Sequence, residues 1–256
     1  MSLRDRNKGT TTTSLIATGN PIGKGGSLRK ASTTAIHKPT GQGLDAVRSA
    51  VRTTGLSGGG NLGFVFDATS SRGHVWDTAK EAFQQMFRNF GSKSSANIRF
   101  MDFGNEGDIV DRNWTSDVES LCNAVQEVSC RVGVTQINPC LQKFAQEKDG
   151  MIPNSIIYVG DHYEETEADL EETISIMRQN NIKVFPFLDS NCPNAERMYR
   201  HLAESTGGIF AMFNDPSTPL NDLCEGVLRL TVGGTNALQQ LENAAVKQLL
   251  LPAPKV

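Results

Sequence analysis

The amino-acid sequence predicts an α/β fold, a Rossmann-like three-layer sandwich in which helices cover both faces of a mostly parallel central sheet. Short apolar segments alternate with amphipathic segments of helical periodicity over most of the chain. Because helical segments connect consecutive strands, those strands cannot form hairpins and should lie parallel to one another. Sheets of this kind bind ligands beyond the carboxyl ends of their strands, so a functional site is expected at that edge.

Five apolar segments have the length and composition of buried strands. The first follows a Gly- and Ser-rich stretch and ends at Asp67, which marks the expected start of the folded domain. The predicted strands are Leu62–Phe66, Ile98–Phe103, Ser155–Gly160, Ile182–Phe187 and Gly208–Phe213.

The segments between and after these strands carry apolar residues at helical spacing. A last amphipathic stretch, Asn236–Leu250, has Leu238, Leu241 and Leu249 on one stripe and is interpreted as a helix that packs on its own domain rather than on a partner. The predicted helices before it are His74–Asn89, Ser116–Cys130, Pro139–Glu147, Glu167–Asn180, Asn194–Ser205 and Leu220–Leu230.

Composition divides the chain into three parts. Residues 1–60 are rich in Gly, Ser, Thr and basic residues and have almost no apolar clusters, which predicts a flexible basic arm. Residues 61–234 are predicted to form the folded domain, and 235–256 a C-terminal helix and tail. Because the basic residues of the arm lack interleaved aromatics, a solvated leader is favoured over contact with nucleic acid or an acidic protein surface.

The bulk properties of the chain argue against several protein classes. The formal net charge of −3 gives no large field that would attract nucleic acid or anionic lipid. Five dispersed cysteines without a CxxC pair fit neither a disulfide framework nor a zinc site, so they are expected to be reduced and mostly buried. No segment has the features of a signal peptide or a membrane span, which favours a cytoplasmic location without membrane contact.

Hard oxygen donors follow the first predicted strand directly. Asp67, Thr69 and Ser71 form a DxTxS string at the edge where ligands are expected. A site with few carboxylates and several hydroxyls suits Mg²⁺ or Mn²⁺, which prefer oxygen ligands and retain water. The alternative is a turn that caps the next helix, because Asp, Ser and Thr are common at such positions.

Two further features join this string to a known pattern. Thr135 precedes a predicted helix in GVTQINPCL, and Asp161 follows a strand in IIYVGD. Together with Asp67, Thr69 and Ser71, they make the chain similar over about 180 residues to the von Willebrand factor A (VWA) family. The metal-ion-dependent adhesion site (MIDAS) of that family combines a DxSxS motif, a threonine in a GGT-like turn and an aspartate after the fourth strand.

The resemblance implies a role for each of these five residues. Thr69 and Ser71 would ligate the ion directly, and Asp67 and Asp161 would accept hydrogen bonds from water on the ion. Thr135 would alternate between direct and water-mediated contact, and a Glu or Asp of a partner protein would complete the coordination. Few anionic protein ligands leave such an ion electrophilic enough to attract that carboxylate.

The chain departs from the family pattern at several positions. Thr69 replaces the usual first serine of the motif but keeps the hydroxyl, and Val134 replaces the second glycine of GGT. Gly160 and His162 flank Asp161, where Thr and Gly are commoner. The histidine matters most, because the family's glycine often permits a turn that other residues adopt only with strain.

Three functions are compatible with these residues. The favoured one is a non-enzymatic adhesion or adaptor module, whose metal site binds an acidic residue of a partner protein in an intracellular complex. By family analogy, that partner is an AAA+ ATPase or a subunit of an assembly. A structural subunit with a vestigial metal site is the alternative, and a magnesium-dependent phosphohydrolase of the haloacid dehalogenase type is disfavoured, because Thr69 stands where that chemistry needs a second aspartate.

Overall fold

The computed structural model describes residues 60–73, 80, 81, 83, 84, 86–88, 96–213 and 219–251 of the chain. The predicted N-terminal arm therefore lies outside the described residues, except for Gly60. Of the predicted helix His74–Asn89, only the residues between 80 and 88 named above are described, and these are helical.

A six-stranded sheet forms the centre of the domain, in the order β3-β2-β1-β4-β5-β6. All neighbouring strands pair in parallel except β2 and β3, which pair antiparallel. The predicted α/β class with a mostly parallel sheet is confirmed. The strands are β1 (Asn61–Asp67), β2 (Asn97–Phe103), β3 (Ile109–Asp111), β4 (Ser155–Gly160), β5 (Lys183–Leu188) and β6 (Ala211–Met212).

The antiparallel edge strand β3 contradicts the expectation that every connection between strands is helical. Residues 104–108 form a turn in which Gly107 has a φ of 72°, a conformation that glycine adopts readily. Arg99 of β2 then binds Asp111 of β3 through two hydrogen bonds of 2.9 Å. A strand of three half-buried or exposed residues is too short to give an alternating pattern in the sequence.

Helices cover both faces of this sheet. The first four that follow β3 begin and end within one helical turn of their predicted bounds. The fifth continues well past the predicted end at Leu230. The helices are α1 (Val118–Glu127), α2 (Ile137–Ala145), α3 (Glu167–Gln179), α4 (Pro193–Thr206), α5 (Leu220–Leu238) and α6 (Ala244–Leu250).

The C-terminal part differs from the single predicted helix Asn236–Leu250. Helix α5 crosses the predicted domain boundary after residue 234, and α6 begins only at Ala244. Gly234 has a φ of 62° and interrupts α5. The Asn243 side chain then caps α6 by accepting a hydrogen bond of 3.1 Å from the Val246 backbone. This cap gives the chain a stable local alternative to one continuous helix.

Two apolar clusters fill the space between the sheet and its helices. One contains residues of β1, α1, α5 and α6, including Leu250, and also Leu241 between the last two helices, so the C-terminal segment packs on the same core as the strands. The other contains residues of α2, α3 and α4. Among the described residues, no helix combines the length and apolarity needed to cross a bilayer. The five cysteines are free, and three of them are buried.

Candidate metal centre

The direction of the chain connections reverses between β1 and β4, which are neighbours in the sheet. In an open α/β sheet, such a reversal leaves a crevice at the carboxyl ends of the two strands. Phe66 pairs with Val159, so β1 and β4 reach this edge in register. Asp67 ends β1 and Asp161 directly follows β4, which brings both aspartates to the crevice.

The DxTxS string forms a compact turn after β1. The Thr69 amide donates a hydrogen bond of 2.9 Å to Asp67 Oδ1, and this bond fixes the carboxylate. The hydroxyl oxygens of Thr69 and Ser71 lie 3.0 Å apart. Residues Ser70–Arg72 make a short 3₁₀ turn, which places the two hydroxyls on the same side of the loop. Three of the five predicted site residues therefore converge within one turn.

Two buried carboxylate oxygens at this edge have no hydrogen-bond partner. They are Asp67 Oδ2 and Asp161 Oδ1. Burial raises the pKa of Asp67 to about 6, the negative charge of Asp161 adds to the rise, and the hydrogen bonds from Thr69 and the charge of Arg72 oppose it. Unpaired buried carboxylates are costly, and a cation at this position would satisfy them.

The donor set fits a hard divalent cation. Two carboxylates and three hydroxyls, from Asp67, Asp161, Thr69, Ser71 and Thr135, are all oxygen donors of the kind that Mg²⁺ and Mn²⁺ prefer. Within the described part of the chain, no three His, Cys, Asp or Glu side chains form a group that could hold a metal ion. A metal at this edge would therefore depend on the hydroxyl groups.

Thr135 is tied to the loop that follows Asp161. Its hydroxyl accepts a hydrogen bond of 2.9 Å from the Glu164 amide, and its own amide donates one of 2.9 Å to Glu164 Oε2. The side chain is buried just before α2. This reciprocal pair holds Thr135 and the loop after Asp161 in one connected body, although they stand far apart in the sequence.

Arg131 ties the loop before Thr135 to the DxTxS turn. Its amide donates a hydrogen bond of 2.9 Å to the carbonyl of Ala68, which lies within that turn. Its guanidinium binds Asp102 Oδ2 at 2.8 Å and Asp108 Oδ2 at 3.0 Å. The loops that carry the predicted site residues are thus joined to one another by polar contacts.

Arg72 is a buried cation that lies beside the centre. It was not predicted from the sequence. Its guanidinium lies 2.7 Å from Asp189 Oδ2 and 5.1 Å from the centre of the Phe66 ring. Asp189 directly follows β5, so a third strand end contributes to this edge. The position of Arg72 directly after the DxTxS string is a signal in the sequence, but a basic residue in a turn is usually exposed.

Glu165 caps a helix from a different part of the chain. Its carboxylate accepts hydrogen bonds of 2.7 Å from the Ile137 amide and 3.0 Å from the Asn138 amide, at the first turn of α2. An anionic group at this end of a helix is favoured by the helix dipole as well as by the amide hydrogens. The loop after β4 therefore fixes both Thr135, through Glu164, and the helix that follows Thr135.

Burial of Glu165 predicts a pH-dependent stability. Burial raises the pKa of Glu165 to about 7 from 4.5, against the hydrogen bonds from Asn138 and Ile137, which lower it. The raised pKa means that this group favours the folded state below about pH 4.5 and loses that contribution as the pH rises towards 7. We expect the free energy of unfolding of the wild type, relative to Glu165→Gln, to fall by about 2 kcal/mol between those limits.

Urea unfolding of both proteins across this pH range measures the difference. Glu167→Gln is the matched control, because Glu167 is an exposed carboxylate at the start of α3. A difference between wild type and Glu165→Gln that stays constant with pH would contradict the prediction.

The structure explains two departures from the family pattern. A Cβ atom on Gly160 would overlap with the hydroxyl groups of Tyr158 and Tyr199, so a larger residue has no room there. The Tyr199 hydroxyl donates a hydrogen bond of 2.8 Å to the His162 carbonyl. His162 is not among the residues with positive φ, so the anticipated strain is absent at this position. Its side chain is half exposed, with Nδ1 3.1 Å from Asp161 Oδ2.

Comparison with known proteins identifies the same fold. Residues 61–225 match the family model described as the von Willebrand factor type A domain. No curated protein matches the chain. The SpRpn10 VWA domain is 11% identical with a TM-score of 0.49, and the match covers 60% of this chain and 86% of that one.

Two structures of proximal thread matrix protein 1 (PTMP1) from the mussel byssus are also similar. One is 15% identical with a TM-score of 0.52, and the match covers 72% of this chain and 46% of that one. The other, which has a zinc-occupied MIDAS motif, is 17% identical with a TM-score of 0.50, and the match covers 63% and 44%. The chain therefore matches less than half of PTMP1, and identities this low show a shared fold alone.

Proposed function

Because the chain belongs to the von Willebrand factor type A domain family, we propose that it is a non-enzymatic module that binds a partner protein through a divalent cation. The observation that carries this proposal is the pair of buried, unpartnered carboxylate oxygens of Asp67 and Asp161 beside the hydroxyls of Thr69 and Ser71. Buried polar atoms without partners are rare in folded proteins, and a bound ion is one common reason for them.

Each side chain would have the role in metal coordination that the family resemblance implies. Thr69 and Ser71 would hold Mg²⁺ or Mn²⁺ directly, while Asp67 and Asp161 would balance its charge, and Thr135 would complete the protein's donors. The cation supplies an electrophilic point for a Glu or Asp of the partner. Because most of the protein's donors are neutral hydroxyls, much of the ion's charge remains available to that ligand.

Metal binding by a domain of this fold has a precedent in PTMP1, whose MIDAS motif is occupied by zinc in one structure. Phosphohydrolase chemistry has less support, because Thr69 offers a hydroxyl where that chemistry needs a second carboxylate. An AAA+ ATPase or a subunit of an assembly remains the partner suggested by family analogy, in a cytoplasmic setting. The alternative is a structural subunit with a vestigial metal site, and the experiment must distinguish it from metal-dependent binding of a partner.

Capture of partners from the source cell tests the proposal. Wild type, Asp67→Ala and the control Glu204→Gln are each immobilised with Mg²⁺ or with EDTA. We expect one set of proteins to be retained by wild type and by the control in Mg²⁺, and to be lost in EDTA and with Asp67→Ala. Glu204 is an exposed carboxylate near the end of α4, which lies at the amino end of β5, so its loss leaves the centre intact.

Mass measurement of the retained complexes distinguishes the alternatives. Complexes that keep their mass and composition after chelation, and that Asp67→Ala still forms, would overturn metal-dependent binding and favour the structural subunit. Hydrolysis of a phosphate monoester in Mg²⁺ that Asp67→Ala abolishes would overturn the non-enzymatic assignment.

A further inference from the structure

We propose that Val132 and Val134 form, together with the candidate metal centre, a two-part docking surface for a protein segment of defined chemistry. That segment carries a single Glu or Asp, with a large apolar residue one or two positions away from it. The inference rests on the proposed function, since it names the kind of partner that the centre would bind.

The two valines are unusually exposed for apolar residues. Val132 has 82% of its surface exposed and Val134 has 45%. Among the described residues, the only other exposed large apolar side chain is Val110, at 36% on the edge strand β3. A single exposed valine needs no explanation, but two in one loop next to a predicted metal ligand offer apolar area that a bound partner could cover.

The loop that presents these valines is fixed in place. Arg131 precedes it and is held through both its amide and its guanidinium, and Thr135 follows it and is bound to Glu164. A Cβ atom on Gly133 would overlap with the Gly104 carbonyl, so the loop lies directly against the β2–β3 turn. Little conformational entropy remains to be lost on binding, which favours association.

The position of the valines sets the spacing within the partner. Val134 is next to Thr135, one of the predicted ligands, and Val132 lies two residues further from it. Alternate residues of an extended segment are about 7 Å apart. A partner side chain one or two residues from the acidic ligand can therefore reach the valines while its carboxylate is at the cation.

The charges around the valines limit the partner further. Glu106 and Glu164 are exposed, and Asp108 is 43% exposed, in the loops beside them. These carboxylates would repel a run of acidic residues, so only the residue at the cation should be acidic. An apolar neighbour suits the valines, and burying it adds affinity that an acidic neighbour would not.

Two short synthetic peptides test this inference. Each has one glutamate, flanked by leucine in the first and by serine in the second, and binding is followed by NMR in Mg²⁺ and in EDTA. We expect wild type in Mg²⁺ to bind the leucine peptide about tenfold more tightly, with shifts in the amides of 132–135. Val132→Ser combined with Val134→Ser should abolish the preference, whereas the control Val110→Ser should keep it.

Each of the other outcomes would contradict one specific part of the proposal. Equal, Mg²⁺-dependent binding of both peptides would overturn the valine surface and leave metal-dependent binding standing. Binding of the leucine peptide that is as tight in EDTA as in Mg²⁺ would overturn the two-part surface and the proposed function, because the cation would then add nothing to the affinity. Binding of neither peptide in Mg²⁺ would overturn the peptide specificity, and partner capture tests the proposed function separately. Unchanged thermal unfolding of the serine variants verifies that they are folded.

Discussion

Asp67→Asn is expected to raise the unfolding temperature of the metal-free protein and to abolish any further rise on addition of Mg²⁺. Asp67 is fully buried, its Oδ2 has no partner, and its pKa is raised to about 6, so its charge destabilises the metal-free fold at neutral pH. Removing that charge should stabilise the fold by about 2 kcal/mol, or about 5 °C in a domain of this size. The asparagine side-chain oxygen can still accept the hydrogen bond from the Thr69 amide.

Calorimetry of wild type and variant in EDTA and in excess Mg²⁺ measures both effects. Wild type should gain stability in Mg²⁺, by about 2.7 kcal/mol when the ion is at about a hundred times its dissociation constant. Glu106→Gln removes an exposed carboxylate from the same sheet edge and should change neither result. A variant that is less stable than wild type in EDTA would contradict the prediction, because it would show that Asp67 stabilises the metal-free fold.

Asp102→Ala is expected to destabilise the protein by about 3 to 5 kcal/mol, because it breaks a buried ion-pair network. Asp102 is fully buried in β2 and binds both Arg112, at 2.5 Å, and Arg131, at 2.8 Å. Its removal leaves two largely buried guanidinium groups without their shared partner. It also removes the more buried of the two carboxylates that hold the Arg131 guanidinium in the loop before Thr135, so metal affinity should fall as well.

Urea unfolding of Asp102→Ala and Asp108→Ala gives a direct comparison. Both aspartates bind Arg131, but Asp108 is 43% exposed, so its removal should cost less than about 1 kcal/mol. Equal losses in the two variants would show that burial does not determine the strength of these pairs.

The ends of β1 and β4 could be predicted from the sequence because each strand is a continuous apolar run that stops at a polar or glycine residue. The observed strands Asn61–Asp67 and Ser155–Gly160 agree with that prediction. The edge strand β3 could not be predicted from the sequence, because its pairing depends on a turn and on Arg99 rather than on its own composition. The break after α5 was missed for a similar reason, since the cap at Asn243 competes locally with a good helical pattern.

In the candidate centre, too, contacts between residues close in the sequence could be predicted, and contacts between distant residues could not. Asp67, Thr69 and Ser71 are close in the sequence, so their convergence in one turn could be expected. Arg72 and Glu165 were missed, because their importance comes from residue 189 and from the first turn of α2, which stand far away along the chain. That Thr135 and Asp161 ligate an ion with the other three stays a prediction.

The cap that Glu165 provides to α2 restricts how the chain can change in length. The loop after β4 holds Thr135 through Glu164 and holds the start of α2 through Glu165, so an inserted or deleted residue would displace both carboxylates together. The turn at Asp149 and Gly150 is exposed and makes no such contacts among the described residues. Natural variation in length and engineered fusions should therefore be tolerated at that turn and excluded from the stretch between β4 and α3.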